Sequence, residues 1–416
     1  MTSSSSIRWS INLNPLRLCP RQDIRELQRR QDDALALVER LGVQGLRVDV
    51  DWAWLMPTPE AVSEAALDWY RAFFQDAAAR GLALYGVLYH PPRWAMAQAA
   101  RQPERFVAAW EAFCRLLVAR LPGALEVVQV WNEPNNYLAA LKGDAVLFHG
   151  PRFGAWQWPR EVAWDLLVAM FRVARQTFPD TAAVACNPLV TLLPFWPGGA
   201  SWLDWFAFTD QLLTRAGDAI DMVALDHYPD TWHPGTGPIE WACLDEVARR
   251  VREPASAWYG KQIAIGELGY SSAPHAPRLG PWGFFPEGAR GEARMADWYA
   301  AALPHVAESL GAEGLSQPSA TWVNVYELLD SRQPHGGTGL LALEDHFGLV
   351  RADGTPKPAF EVVRAVTAGE PIASPSLCAR AAPLYWQLGH WLAGRLPAAR
   401  DHWVLPASPS GEAARS

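Results

Sequence analysis

Eight short apolar runs, separated by segments with a helical pattern, constrain the fold of this 416-residue chain most strongly. The runs have the length and β-branched content of buried strands, and most of the segments between them have the period of amphipathic helices. This alternation is typical of βαβ units and predicts a parallel sheet covered by helices. The predicted strands are residues 7–13, 45–51, 83–89, 126–131, 182–187, 222–226, 262–267 and 320–326.

Eight such units in series predict an α/β protein with a closed (β/α)8 barrel over residues 1–370. A doubly wound open sheet is the alternative, but it usually has a glycine-rich phosphate turn after the first strand. Here the first strand runs into Asn14-Pro15-Leu16. Proline residues then interrupt the pattern, so residues 371–416 are predicted to form an extension with one helix at 384–396 and a disordered tail.

Polar and aromatic residues gather directly after the predicted strands. In a barrel these positions meet at one face, where such enzymes keep their active sites. Three connections at this face, residues 136–158, 271–287 and 331–346, are long enough to form the walls of a cleft. The residues after the strands are Asp51, Trp52, His90, Asn132, Glu133, Asn187, His227, Tyr228, Glu267 and Glu327.

Two of these residues, Glu133 and Glu267, each end an apolar run. A pair of facing carboxylates is the usual equipment for cleaving a glycosidic bond. Trp131 and Pro134 could give Glu133 the poorly hydrated setting that a general acid needs at neutral pH. A strand-end glutamate that only pairs with an arginine is the alternative interpretation of Glu133.

Composition and short motifs exclude several other classes of protein. The formal net charge of −8 argues against a nucleic-acid-binding protein. The five cysteines are scattered, no spacing of histidines indicates a metal site, and we expect neither a metal nor a cofactor. No signal peptide or transmembrane segment is recognisable, so a cytoplasmic location is expected, with export by another route as the alternative. The sequence predicts no particular oligomeric state.

The string Trp131-Asn132-Glu133-Pro134-Asn135 resembles the acid/base motif of retaining glycoside hydrolases of clan A. Within the clan the sequence looks most like family 39 and related bacterial exopolysaccharide hydrolases. The segment 265–272 is similar to the nucleophile strand of that group, and segments 347–350 and 354–360 are similar to the part that leads into its final helix. The resemblance covers most of the chain up to about Val366.

This resemblance implies a role for five residues. Glu133 would be the acid/base and Glu267 the nucleophile. Asn132 would hold the sugar, and Tyr228 would donate a hydrogen bond to the nucleophile. Arg47 matches an arginine on the second strand that keeps the nucleophile ionised.

Further candidates for substrate binding come from position and residue type. His90 and His227 end the third and sixth strands and are expected to face the cleft. Relatives often place a tryptophan on the eighth strand to stack under the sugar, but Val325 occupies the aligned position here, three residues after Trp322. The candidates for the aromatic platform are therefore Trp52, Trp322, Tyr326 and tryptophans of the long connections.

The sequence thus predicts a retaining glycosidase that acts on a carbohydrate without a cofactor. Several of its 22 tryptophans fall in different connections after the strands, which suits several sugar subsites and favours an endo-acting enzyme on a bacterial polysaccharide or oligosaccharide. An exo-acting glycosidase of the β-xylosidase or iduronidase type is the alternative, and a catalytically silent carbohydrate-binding barrel is another. A retaining mechanism requires the two carboxyl groups to lie about 5 to 5.5 Å apart.

Overall fold

Eight parallel strands close into a barrel in sequence order, so the predicted (β/α)8 fold is confirmed. The computed structural model describes residues 7–19, 23–99, 102–135, 160–190, 205–229, 231, 237–273, 291–311, 321–332, 339–372 and 384. The strands are β1 (Ile7–Asn12), β2 (Gly45–Asp51), β3 (Ala83–Tyr89), β4 (Val127–Val130), β5 (Ala183–Cys186), β6 (Met222–His227), β7 (Gln262–Leu268) and β8 (Thr321–Val325). Each predicted strand agrees with the observed one to within one residue at either end.

Helices cover the outside of the barrel within the described part of the chain. They are α1 (Pro15–Leu18), α2 (Ile24–Leu41), α3 (Trp52–Leu55), α4 (Glu64–Ala79), α5 (Arg93–Ala99), α6 (Pro103–Arg120), α7 (Arg160–Thr177), α8 (Trp205–Ala216), α9 (Gly237–Arg252), α10 (Gly291–Gly311) and α11 (Pro358–Thr367). Two 3₁₀ segments lie at Gly217–Ala219 and Gly339–His346. No helix in these ranges is both long and apolar enough to cross a bilayer.

Strand alternation divides the core into two layers. Residues that face outward, such as Val48, Val223 and Val323, pack with the helices in one large apolar cluster. Residues that face the axis form a smaller cluster, which contains Tyr85, Val87, Val127, Ala185, Met222, Ala224, Ala264 and Trp322. Polar inward positions then follow toward the carboxyl ends of the strands, which is where the site lies.

Strand β7 breaks this alternation close to its end. Leu225 pairs with Ile265, but the next pair is Asp226 with Glu267, so Gly266 is an extra residue in the β7 strand. A Cβ atom at Gly266 would lie 2.5 Å from Asp226 Oδ1 and 2.7 Å from Asn187 Nδ2, which only glycine avoids. The bulge turns Glu267 toward the axis without displacing the outward Leu268.

Some sequence predictions are corrected or lie outside the described residues. The sequence of residues 59–80 has a helical pattern, but helix α4 begins only at Glu64, because the Ser63 side chain accepts a hydrogen bond from the Ala66 N–H and caps the helix there. Apart from residues 371, 372 and 384, the predicted extension lies outside the described ranges. So do all of 136–158, residues 274–287 of the second long connection and residues 333–338 of the third.

Candidate active site

Glu267 lies at the carboxyl end of β7 and is only 6% exposed. Arg47 Nη1 donates to Glu267 Oε1 at 2.6 Å, and the Tyr228 hydroxyl donates to Oε2. Burial raises the pKa of Glu267 above the ordinary glutamate value, while Arg47 and the Tyr228 hydroxyl oppose that rise. Both oxygens therefore have donors that stabilise the ionised form, as a nucleophilic carboxylate requires.

Arg47 is the centre of the polar network beneath the site. Its guanidinium donates to Asn12 Oδ1 at 2.8 Å, to Gln129 Oε1 at 3.0 Å and to Asn132 Oδ1 at 3.1 Å, in addition to Glu267. Burial alone would lower the pKa of Arg47, but the nearby carboxyls, Glu267 first, raise it above the usual arginine value. The guanidinium is thus a permanent charge in a fixed orientation.

Glu133 follows β4 in a backbone conformation that non-glycine residues rarely adopt. Its φ is 42° and that of Trp131 is 68°, and the Glu133 N–H donates to Asn187 Oδ1 at 3.1 Å. Such left-handed positions are energetically unfavourable and persist where the surrounding structure enforces them. Here the turn brings the Glu133 carboxyl over the barrel, where one of its oxygens lies within 4.8 Å of an oxygen of Glu267.

Asp226 is a third carboxyl in this cluster, and it was not among the residues predicted for the site. One oxygen each of Glu133, Asp226 and Glu267 lies within 4.8 Å of the others. Asp226 is fully buried, and Asn187 Nδ2 donates to its Oδ1 at 2.7 Å. The three carboxyls are close enough to share a cation, but Arg47 already supplies a positive charge to Glu267. The alternation of side chains along β6 could have predicted that Asp226 points into the barrel, because Asp226 lies two residues after the inward Ala224.

Asn132 and His90 lie at the same end of the barrel. Arg47 and Gln129 donate to Asn132 Oδ1, which fixes the amide so that its NH₂ group is the end left to donate to a ligand. His90, which has a φ of 54°, places Nε2 2.9 Å from Asp49 Oδ2. Burial would raise the pKa of Asp49, but His90 and Arg47 hold it below the usual value. The pair of His90 and Asp49 therefore forms a polar side of the site next to Arg47.

The prediction that His227 faces the cleft is wrong. Its ring is fully buried on the outer side of β6, 5.0 Å from Trp241 of α9 at an angle of 84°. Neighbouring strand residues point to opposite faces, so His227 must point outward when Asp226 points inward. Burial and the nearby His305 lower the pKa of His227 to about 3, which makes it a neutral core residue.

Trp52 does not reach the cleft either, although its position after β2 suggested that it would. It is fully buried and lies parallel to Phe113, with ring centroids 5.3 Å apart. Trp94, Phe106 and Trp110 complete a cluster around it. Because Trp52 opens helix α3, its side chain turns into the layer between helices.

Trp322 faces the barrel axis but lies too near the start of β8 to touch a substrate. Its ring packs 5.7 Å from Tyr85 and under the Arg8 guanidinium, so it fills the barrel floor. Tyr326 lies four residues after Trp322, just beyond the end of β8, and is half-buried. The centroids of the Tyr326 and Tyr228 rings are 5.7 Å apart. Of the three aromatic candidates, only Tyr326 borders the carboxyl cluster. Trp156, Trp158, Trp232 and Trp282 lie outside the described residues.

Comparison with known proteins gives a partial sequence match and a full structural one. The family model for glycosyl hydrolase family 1 matches residues 25–173. The chloroplastic β-glucosidase-like protein SFR2 of Oryza sativa subsp. japonica is 31% identical over 128 residues, which are 29% of this chain and 20% of that protein. A β-glucosidase of Agrobacterium sp. is 28% identical over 108 residues, 25% of this chain and 24% of that protein. The aligned part thus spans a fifth to a quarter of these relatives.

Solved structures match over nearly the whole chain. The hyperthermophilic β-glucosidase from Pyrococcus furiosus has a TM-score of 0.63 at 12% identity, covering 92% of this chain and 100% of that one. The family 1 β-glucosidase from Thermotoga maritima has a TM-score of 0.60 at 13% identity, covering 89% and 100%. The expected likeness to family 39 finds no support in these comparisons. They show the barrel fold, and within residues 25–173, which contain Arg47, Asn132 and Glu133, a likeness to family 1.

Proposed function

We propose that this protein is a retaining β-glycosidase in which Glu267 is the nucleophile and Glu133 is the acid/base. The observation that carries the proposal is the pairing of both Glu267 oxygens, one with Arg47 and one with Tyr228, beneath a second carboxyl within 4.8 Å. A structural ion pair needs no second carboxyl at that distance. A double displacement needs both groups.

The two carboxyls suit a two-step reaction. In the first step a Glu267 oxygen attacks the anomeric carbon, while Glu133 gives its proton to the departing glycosidic oxygen, leaving a glycosyl ester on Glu267. In the second step Glu133 accepts a proton from water. That water attacks the anomeric carbon, and the Glu267 carboxylate leaves. Two inversions at the same carbon return the original configuration.

The separation of the carboxyls supports retention over inversion. An inverting enzyme leaves about 6.5 to 9.5 Å between the groups for a water molecule, and a retaining one about 5 to 5.5 Å. Oxygens of Glu133 and Glu267 that lie within 4.8 Å of each other belong to the shorter class. There is no room between these oxygens for a water that attacks from the far side of the sugar.

For the substrate we propose a small β-glucoside cleaved from its non-reducing end. Support comes from the relatives, which are a β-glucosidase and a β-glucosidase-like protein, and from the likeness of residues 25–173 to family 1. This favours the exo-acting alternative over endo-action on a polysaccharide. In this proposal Tyr326, which packs against Tyr228, and the Asn132 amide beside Arg47 contact the terminal sugar.

The direct test uses aryl β-glucosides together with oligosaccharides and polysaccharides. We expect the wild type to release glucose, with the β-anomer as the first product by proton NMR, and we expect Glu267→Gln and Glu133→Gln to lose at least about 1,000-fold in kcat/KM on substrates with poor leaving groups. The matched control is Glu104→Gln, an exposed glutamate on α6.

The outcomes separate the alternatives. First release of the α-anomer from a β-glucoside would contradict retention, and internal cuts in a polysaccharide would contradict exo-action. Full activity in Glu267→Gln would remove it as nucleophile. Saturable sugar binding with no cleavage by the wild type would establish a silent carbohydrate-binding barrel instead.

A further inference from the structure

Three carboxyl groups lie together at the carboxyl ends of β4, β6 and β7, and two of them, Asp226 and Glu267, are buried. One oxygen each of Glu133, Asp226 and Glu267 lies within 4.8 Å of the others, and Asp226 is fully buried. Carboxyls at this distance in a buried site do not all ionise at neutral pH, because each charge opposes the next. Asp226 and Glu267 are the two buried members of the cluster, so we expect one of this pair to hold a proton whatever the state of Glu133.

The positive charge nearby is directed at Glu267. Arg47 donates to Glu267 Oε1 at 2.6 Å, and its other hydrogen bonds go to Asn12, Gln129 and Asn132. Arg47 is the one cation among the described groups that act on the charge of Asp226. Those groups are Arg47 on β2, Tyr85 on β3, Glu133 after β4, Asn187 after β5, Tyr228 after β6 and Glu267 on β7.

The hydrogen bonds of Asp226 are asymmetric. Asn187 Nδ2 donates to Oδ1 at 2.7 Å and also to the Ala224 carbonyl at 3.0 Å, while Asn187 Oδ1 accepts from the Glu133 N–H. The amide of Asn187 is fixed by these bonds. Asp226 Oδ2 is buried without a hydrogen-bond partner among the residues that the structure describes. Burying an oxygen without a hydrogen-bond donor costs far more free energy for a charged carboxylate than for a neutral carboxylic acid.

We propose that Asp226 is a positioning residue that carries a proton on Oδ2 in the resting protein, which leaves Glu267 as the ionised carboxyl of the pair. Burial, followed by the charge of Glu267, raises the pKa of Asp226 well above its ordinary value, in agreement with this arrangement. The neutral acid keeps a second negative charge away from Glu267. This effect on the nucleophile depends on the proposed function, but the protonation of Asp226 does not.

Infrared spectroscopy of protein with ¹³C-labelled aspartate tests the protonation directly. At neutral pH we expect the wild type to show the C=O stretching band of a protonated carboxylic acid, and Asp226→Asn to lack it. Asp68→Asn, which removes an exposed aspartate on α4, should keep the band. A wild-type spectrum without this band at neutral pH would overturn the proposal.

A second variant guards against misfolding of Asp226→Asn. Glu267→Gln removes the charge that raises the pKa of Asp226 most strongly after burial, so the acid band should disappear at a lower pH than in the wild type. An unchanged midpoint would contradict the coupling between the two carboxyls.

Thermal unfolding measured at several pH values separates a proton on Asp226 from a purely structural role of this side chain. A structural role would change the melting temperature by the same amount at every pH. Because the folded pKa of Asp226 is raised, its contribution to stability is complete below the unfolded value of about 3.9 and is lost as the pH rises toward the folded value. As the pH rises from about 4 to about 9, the melting temperature of the wild type should therefore fall relative to that of Asp226→Asn. A difference that does not change with pH would refute the proposal.

The pH profile of kcat/KM links the proton to catalysis. Deprotonation of Glu133, the proposed acid, should lower the activity of both proteins at alkaline pH. With an active glucoside, the wild type should show an additional alkaline loss of activity that Asp226→Asn lacks. Identical alkaline limbs in the two proteins would show that Asp226 does not tune Glu267. Should no glycoside be cleaved at all, the proposed function fails, while the infrared and unfolding results still decide the state of Asp226.

Discussion

Glu267 can ionise in a buried site because two donors offset the effect of burial. Arg47 provides the larger share, since its charge and its hydrogen bond both lower the pKa of Glu267, and Tyr228 adds a further hydrogen bond. The nearby Asp49 charge acts in the opposite direction. The pH range in which the nucleophile is ionised thus depends mainly on one arginine.

Replacing Arg47 with methionine should move the acid limb of the pH profile. Arg47 lowers the pKa of Glu267, so its loss raises that pKa, and the nucleophile becomes protonated at a higher pH. We expect the acid limb of kcat/KM to shift upward and the plateau to fall by about 100-fold. Arg115→Met, which removes an exposed surface ion pair, is the control. An acid limb in the same place as in the wild type would argue against Arg47 as the group that sets the charge of Glu267.

His227 offers a separate test of charge in the core. Its pKa of about 3 lies below the unfolded value of about 6.5, because burial penalises the charged ring. This group therefore contributes stability above the unfolded pKa that is lost as the pH falls through the folded one. The melting temperature of the wild type should drop faster than that of His227→Leu below about pH 6.5. Parallel curves would mean that the ring finds a partner for its charge.

Strands and helices of this chain differ in how far the sequence predicts them. The eight strands could be placed to within one residue because their apolar runs are short and bounded. The first turn of α4 could not, since the capping action of Ser63 depends on a local hydrogen bond. The direction in which a side chain points is harder to predict from the sequence than the bounds of a strand. The bulge at Gly266 follows from contacts between strands, which one sequence does not show.

The same limit explains the mistaken aromatic candidates. Trp52 and Trp322 lie next to strand ends in the sequence, but one turns into a helix layer and the other fills the barrel floor. Residues that bind a sugar and residues that fill a core are both aromatic, so residue type alone cannot separate them. Glu133, Glu267, Arg47 and Tyr228 were predicted from short segments of four separate strands, and the structure brings them together.

Trp52→Ala tests its assignment to the helix layer. Losing a fully buried indole should lower the free energy of unfolding by about 3 to 5 kcal/mol in a urea titration, with KM for a glucoside within about twofold of the wild type. Tyr326→Ala should do the reverse, raising KM with a smaller loss of stability, because its ring is only half-buried. A raised KM in a stable Trp52→Ala would restore Trp52 as a sugar platform.

Two sets of contacts join the end of the barrel sequence to earlier parts of the chain. Strand β8 pairs with β1, and Lys357 fixes the start of α11, the last helix in the described ranges, to the segments that follow β7 and β8. Its ammonium donates to Asp330 Oδ1 at 2.7 Å, to Ser272 Oγ at 2.9 Å and to the His346 carbonyl at 3.3 Å. Lys357 therefore joins the segments after β7 and β8 to the start of α11.

Lys357→Met should destabilise the whole barrel. The change leaves Asp330 as a buried carboxylate without its cation, which we expect to lower the free energy of unfolding by about 3 to 5 kcal/mol in a urea titration. The double variant Lys357→Met/Asp330→Leu should recover much of that loss, since an apolar pair replaces the ion pair. A single variant as stable as the wild type would show that the ion pair does not hold α11 in place.

The polar network of Arg47 connects distant parts of the barrel wall. Its partners lie on β1 (Asn12), on β4 (Gln129) and on β7 (Glu267), so four strands meet at one guanidinium. Slippage of any of these strands would move the nucleophile before the helices came apart. Enzymatic turnover should then act as an early indicator of barrel disassembly, and during gradual denaturation it would fade at lower urea than the tryptophan fluorescence signal does.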